Sequence, residues 1–323
     1  MNFAPIVLFV FNRPEHTQKT IESLAANSLA DFSDLYIFCD GPRDDKDQEA
    51  VRKVKAYIKK IKGFRSVKIK AQENNIGLAN SVINGVEEVI QKYGRVIVVE
   101  DDLLLAQSFL SYMNKALDIY VNNSKVFSVG GYNPPILIPK QFAFDSYLSY
   151  RCCTWGWGTW VDRWSKVDWL VKDFPEFIND NNKIKRFNRG GDDMSELLRL
   201  QILGKINSWG IRWDYAHFKN EAFCIRPTHS LACSSGNDGS GIHCGVTDKY
   251  DVELSSKSDF IYPRDQDLKV DADINDKFAT FYDGRVRDKN SGSESAPDIS
   301  KPRSFSKFLH WLGICKSSGA NGR

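Results

Sequence analysis

Ile6 to Phe11 is an unbroken apolar run, the pattern of a strand covered on both faces. Asn12-Arg13-Pro14-Glu15 then reads as a helix start, with Pro14 suited to the first turn and Glu15 to the positive end of the dipole. Leu35 to Cys39 predicts a second strand that ends at Asp40-Gly41-Pro42, and residues 44–61 read as a charged surface helix. Val67 to Ala71 predicts a third strand, followed by the turn residues Asn74-Asn75-Ile76-Gly77. An apolar stripe of Leu78, Val82, Ile83, Val86, Val89 and Ile90 has helical spacing. The β-branched run Val96-Ile97-Val98-Val99 then predicts a central strand that delivers Glu100-Asp101-Asp102 at its end. A helix with Phe109, Tyr112, Met113, Ala116, Leu117 and Tyr120 on one face follows.

Alternation of this kind predicts an α/β fold with an open, mainly parallel sheet. Such sheets bind ligands outside the carboxyl ends of their strands, where Asp40 and the acidic triplet fall. Past residue 126 the pattern changes to short strand-like pieces mixed with Trp-rich and Gly-rich segments. Residues 286–303, rich in Ser, Pro, Lys and Asp, read as a linker. In the basic tail beyond, Phe305, Phe308, Leu309 and Leu312 recur at helical spacing, so contact with a membrane surface through 304–316 and packing on the domain are both open.

Composition adds boundaries. The net charge of +3 over 323 residues is too small to expect nucleic acid as a partner. Neither a basic leader with a cleavage site nor an apolar run of about 20 residues is present, so no signal peptide or membrane span is expected. Seven cysteines at irregular spacing without a C-x-x-C pair point to free thiols in a reducing, cytoplasmic setting.

Three adjacent carboxylates at a strand end repel one another, and a cleft is a costly place for them without a cation. A divalent ion, Mn²⁺ or Mg²⁺, shared with phosphate oxygens of a nucleotide resolves both problems. A solvated acidic turn is the plainer alternative. Downstream, the Trp155-Gly156-Trp157-Gly158-Thr159-Trp160 segment offers either sugar-stacking faces or core. His229, Cys233, His243 and Cys244 match no common zinc spacing.

Several segments together resemble inverting glycosyltransferases of the GT-A fold, family 2-type, with a local likeness to N-acetylglucosaminyltransferase I. The resemblance spans about residues 5–245 and rests on PIVLFVFNRPEHTQKTIESL, ENNIGLANSVINGV, VIVVEDDL, RCCTWGWGTWVDRW, IRWDYAHFKNEAFCIRP and SSGNDGSGIHCG. It implies a nucleotide-sugar-binding half over 1–103, an acceptor-binding and catalytic half over 104–255, and an extension over 256–323. It implies that Asn12, Arg13, Asp40, Glu100 and Asp101 contact the donor, with Asp102 as the metal ligand. The E-D-D pattern replaces the D-x-D of many members, which leaves open which carboxylate binds metal directly.

By the same resemblance Asp214 would be the general base, with Asp192 and Asp193 as rivals. Pairing with Arg212 or Arg226, or capping a helix beginning at Tyr215, is the structural alternative for Asp214. Trp157 and Trp160 would meet the acceptor, and a Gly-rich loop over 234–245 would close on the donor and bring His243 to the diphosphate. The activity implied is hexosyl or N-acetylhexosaminyl transfer from a UDP-linked donor to a glycan or lipid-linked saccharide, in bacterial surface polysaccharide synthesis. A sugar-phosphate nucleotidyltransferase is disfavoured because Phe11-Asn12-Arg13-Pro14 carries no glycine-rich loop. A non-catalytic carbohydrate-binding scaffold explains the tryptophans but not the triplet.

Overall fold

All five side chains of β1 (Ile6–Val10) are buried, as its unbroken apolar run requires. The computed structural model describes residues 3–239 and 246–283. Helix α1 (Pro14–Ala25) opens on Pro14 and turns Ile21 and Leu24 inward. The alternation continues through β2 (Asp34–Cys39), α2 (Gln48–Ile58), β3 (Ser66–Ala71), α3 (Leu78–Tyr93) and β4 (Arg95–Glu100). Gly94 ends α3 at φ 75°, the left-handed conformation that glycine adopts at little cost.

Next come β5 (Leu103–Leu105), α4 (Phe109–Ile119), β6 (Val126–Gly130), β7 (Ser146–Ser149) and β8 (Trp157–Trp160). The helices α5 (Val161–Trp164), α6 (Phe174–Ile178), α7 (Asn181–Phe187), α8 (Met194–Ile202) and α9 (Trp209–Lys219) follow. β9 (Phe223–Pro227), β10 (Ala232–Ser234) and α10 (Ala272–Tyr282) complete the described elements.

Eight strands form one sheet in the order β3-β2-β1-β4-β8-β6-β9-β7. The half from β3 to β4 is entirely parallel. β8 enters antiparallel between β4 and β6, so the second half is mixed, although β6 and β9 are again parallel. Strand alternation sorts the core into two layers. Ile6, Leu8, Ile97 and Val99 face α1, α2 and α4. Val7, Phe9, Val96 and Val98 face α3 and α9. Each such buried side chain contributes about 1.5–3 kcal/mol, which is why β1 and the interior of β4 from Val96 to Val99 are wholly apolar.

Residues beyond the expected boundary at 255 belong to the same compact unit, which continues to Asp283. Tyr262 stacks on Tyr112 at 5.4 Å and donates to its carbonyl at 3.1 Å. Ile274, Phe278 and Tyr282 of α10 pack with Tyr147 of β7. The linker at 286–303 and the basic tail at 304–316 lie outside the described residues. Among the described residues no helix is long and apolar enough to cross a membrane.

Candidate active site

The parallel register gathers three sequence segments at one edge of the sheet, and antiparallel β8 brings a fourth. Phe9 lies opposite Glu100 and Val10 opposite Cys39. Phe11-Asn12-Arg13, Asp40 and Glu100-Asp101-Asp102 therefore all emerge at the carboxyl ends of β1, β2 and β4. β8 pairs Trp157 with Val98, so the residues just ahead of Trp157 run past the same end of β4.

Arg13 is the cation paired with the triplet among the described residues. Its guanidinium forms an ion pair with Asp101, and Nη2 lies 3.2 Å from Asp102 Oδ2. Burial works against the Arg13 charge, but the two carboxylates outweigh it and raise its pKa. Asp101 is the more enclosed acid, since its side chain is 6% exposed against 18% for Asp102. It also accepts the Phe11 N–H at 3.2 Å, which ties the end of β1 to the end of β4. Even so, burial pushes the Asp101 pKa up, with Arg13 opposing. Glu100 is driven up to about 8, first by burial and then by Asp102 and Asp101. One arginine leaves three carboxylates undercompensated.

A short lid lies on the triplet. β10 pairs antiparallel with β5, placing Ser234 opposite Leu103. The next residue, Ser235, donates to the Asp102 carbonyl from its amide at 2.7 Å and from Oγ at 3.0 Å. A side chain at Gly236 would overlap Asp102 Oδ2 and press on Arg13, so glycine lets the backbone lie against the carboxylate. His16 holds the loop from α1, 3.2 Å from the Ser235 carbonyl and 3.1 Å from Asp238.

Asp214 sits in the middle of α9, which begins at Trp209 with Ser208 as its cap. It neither caps a helix nor accepts from Arg212, whose donors go to the carbonyls of Ser208 and Trp169. Asp214 Oδ1 accepts the Cys152 N–H at 2.6 Å. Burial raises its pKa to about 6, against the pull of Arg151, the Cys152 amide and Arg226. A carboxyl group poised there is ionised at neutral pH yet basic enough to take a proton. Asp193 is committed elsewhere, because Arg151 grips both of its oxygens at 2.7 and 2.9 Å.

Other expected site residues fall differently. The Asp40 carboxylate accepts the amides of Gly41 and Ile76 at 2.9 Å and of Gly77 at 3.0 Å, so it fixes the 74–77 turn against β2. Asn12 donates to Asp47 at 2.6 Å, and Arg43 shares that carboxylate while lying over the Phe11 ring. Sequence reasoning misses Asp47 and Arg43, because Asp47 falls in the stretch 44–61 that reads as a charged surface helix and Arg43 just ahead of it. Trp157 and Trp160 require correction as acceptor contacts. Strand β8 is flanked on both sides, leaving Trp157 fully buried among Trp164, Trp209 and Trp213, and Trp160 donating to the Leu117 carbonyl. The half-buried Trp155 is the member of that segment near the rim, edge-on to Tyr132 and Tyr250.

His243 and Cys244 lie outside the described residues. Among the described residues no three His, Cys, Asp or Glu side chains converge into a metal site. A divalent ion at a nucleotide needs only one or two carboxylates plus phosphate oxygens. Asp102, with Glu100 beside it, fits that sparser requirement.

No family model matches the sequence, and no curated relative matches it. Among solved structures the chain is similar to S. aureus TarS, with TM-score 0.39 and 9% identity over 72% of this chain and 37% of that one. It thus spans well under half the length of that protein. Its similarity to the 1–349 portion of TarS has TM-score 0.39 and 9% identity, covering 96% and 78% of the two chains. A mannosyltransferase, PcManGT from Pyrobaculum calidifontis in complex with GDP-Man and Mn2+, gives TM-score 0.37 and 10% identity over 68% and 69%. At these scores the likeness carries no argument about this chain, whose chemistry has to be read from its own residues.

Proposed function

We propose that this protein is an inverting, metal-dependent glycosyltransferase that moves a sugar from a nucleotide donor to an acceptor hydroxyl. The observation that carries the reading is the undercompensated Glu100-Asp101-Asp102 triplet at the carboxyl edge of a parallel half-sheet. Asp214 supports it, being tied to Cys152 in the segment that runs past the same edge.

In this reading Asp102, assisted by Glu100, would hold Mn²⁺ or Mg²⁺, which would supply Lewis-acid stabilisation of charge on the departing diphosphate. Arg13 adds a fixed positive charge at that edge and keeps Asp101 oriented. Asn12 and Asp40 lie on the nucleotide side, where Asp40 shapes the wall by holding the 74–77 turn. The 235–239 loop, pinned by His16, shields the triplet from water.

Asp214 accepts the proton of the attacking hydroxyl. The new bond forms between that oxygen and the anomeric carbon, while the bond from carbon to diphosphate oxygen breaks and its electron pair leaves with the diphosphate. One displacement inverts the anomeric centre. The acceptor is a glycan or lipid-linked saccharide, and the donor is UDP-linked.

Isothermal titration with a panel of nucleotide sugars, in Mn²⁺ and then in chelator, tests this. Metal-dependent binding of one nucleotide family, with diphosphate released only when an acceptor is added, is expected. Donor-independent glycan binding that persists in chelator would turn the protein into a carbohydrate-binding scaffold.

A further inference from the structure

A second groove, of about 480 Å³, opens at the other end of the sheet. β6 and β9 run parallel with Val126 opposite Phe223, so both begin there, at the edge away from Glu100. Its volume falls within the range of small-molecule sites. One wall is aromatic, with the rings of Tyr150 and Phe223 5.4 Å apart.

The groove also carries a cation. The Arg189 guanidinium lies 4.1 Å from the centre of the Tyr150 ring. It donates from Nη1 to Tyr150 Oη at 3.1 Å and from Nε to the Arg186 carbonyl at 3.1 Å. Two of its five N–H donors are thereby engaged, and no carboxylate among the described residues pairs with it. The neighbouring acids are already taken. Glu221 holds Arg186 at 3.2 Å and Lys125 at 3.6 Å, while Asp265 accepts from Asn123 at 2.9 Å.

Glu221 keeps that position at a conformational cost. Its φ of 49° is left-handed, at the end of α9 where glycine or asparagine is the usual choice. Glycine would relieve the strain but lose the carboxylate that fixes Arg186 and Lys125 on the groove wall. Strain retained for the sake of a side chain points to a site that uses the arrangement.

We propose that this groove binds a saccharide bearing an anionic group, a carboxylate or a phosphate. The Phe223 ring lines the place of the sugar's C–H bonds, and Arg189, lying over the Tyr150 ring, offers its remaining N–H donors to the anion. The site is independent of the transferase reading, since the groove opens at the edge of the sheet away from Glu100.

Titration calorimetry on the full chain, in chelator and without donor, tests this with four probes. They are a glucuronic-acid disaccharide, its neutral glucose counterpart, a hexose phosphate and inorganic phosphate. At least one acidic saccharide is expected to bind, with the neutral disaccharide weaker by about tenfold or more. Arg189→Gln should weaken the acidic probe by a similar factor, with an unchanged melting temperature because the side chain is exposed. Asp102→Ala should leave this binding intact even where it abolishes donor binding. Failure of both acidic saccharides, equal binding of the neutral one, or equal binding of phosphate alone would overturn the proposal. So would loss in Asp102→Ala with retention in Arg189→Gln, which would place the ligand at the other edge.

Discussion

Asp214 Oδ1 accepts the backbone N–H of Cys152 at 2.6 Å, and that bond fixes a buried carboxyl group of α9 against the segment leading into β8. One oxygen is thus anchored by a donor that cannot move, which orients the other. Burial does the rest by raising the pKa to about 6.

Asp214→Asn should retain metal-dependent donor binding and lose transfer by about 10²–10⁴-fold, the usual worth of a general base. The wild-type kcat/KM should rise with pH through about 6 as the carboxyl ionises, and the variant's residual rate should lack that limb. Stability should move the other way. The folded state holds the Asp214 proton up to about 6, whereas an unfolded aspartate releases it near 3.8. Between those values the folded chain binds more protons, so stability falls as pH rises, by up to about 3 kcal/mol at 1.36 kcal/mol per pH unit. Asparagine still accepts the Cys152 amide without a charge, so the variant should melt no lower than wild type at pH 7. A marked drop there would make Asp214 a structural residue.

Asp102→Ala should abolish metal-dependent donor binding while the melting curve in chelator stays close to wild type. Asp102 is the more open of the paired acids, and its main-chain carbonyl, not its side chain, anchors Ser235. Calorimetric titration with Mn²⁺ and donor checks this, and undiminished metal affinity would move the ligand role to Glu100.

Much of this edge was legible in the sequence, because β4 announces itself: four β-branched residues can only be a buried strand, and the acids that follow must sit at its end. Pro14 and the Leu78–Ile90 stripe located α1 and α3 for similar local reasons. What joins those pieces is not local. The bond between Arg13 and Asp101 depends on Phe9 lying opposite Glu100, a register that neither segment encodes alone. Asp214 could not be placed inside α9 without the Ser208 cap, whose partner is the Ile211 amide. Which tryptophan of the Trp155–Trp160 segment stays only half-buried was equally hidden, since β8 enters antiparallel between two strands and buries its indoles on the way.

Arg13→Gln should destabilise the metal-free protein by about 1–3 kcal/mol, because Asp101 and Asp102 lose their counter-ion in a partly buried setting. Mn²⁺ should recover much of that loss, since a cation at the triplet replaces the missing charge by mass action. Melting temperatures with and without Mn²⁺ read both effects. A variant as stable as wild type in chelator would show that the ion pair is worth little.

The tryptophans separate core from site. Trp157 is fully buried against three other indoles, so Trp157→Ala should cost about 3–5 kcal/mol of stability, the range for deleting a large aromatic side chain from a core. Trp155 is only half-buried, and its ring meets Tyr132 at 4.6 Å near the segment that carries Cys152. Trp155→Ala should therefore cost less, about 1–2 kcal/mol, and raise KM for the acceptor with little change for the donor. Denaturant midpoints and steady-state kinetics on the two variants measure the contrast. If Trp155→Ala destabilises as severely as Trp157→Ala and leaves the acceptor KM unchanged, both rings are core, and the acceptor must be held by residues of another segment.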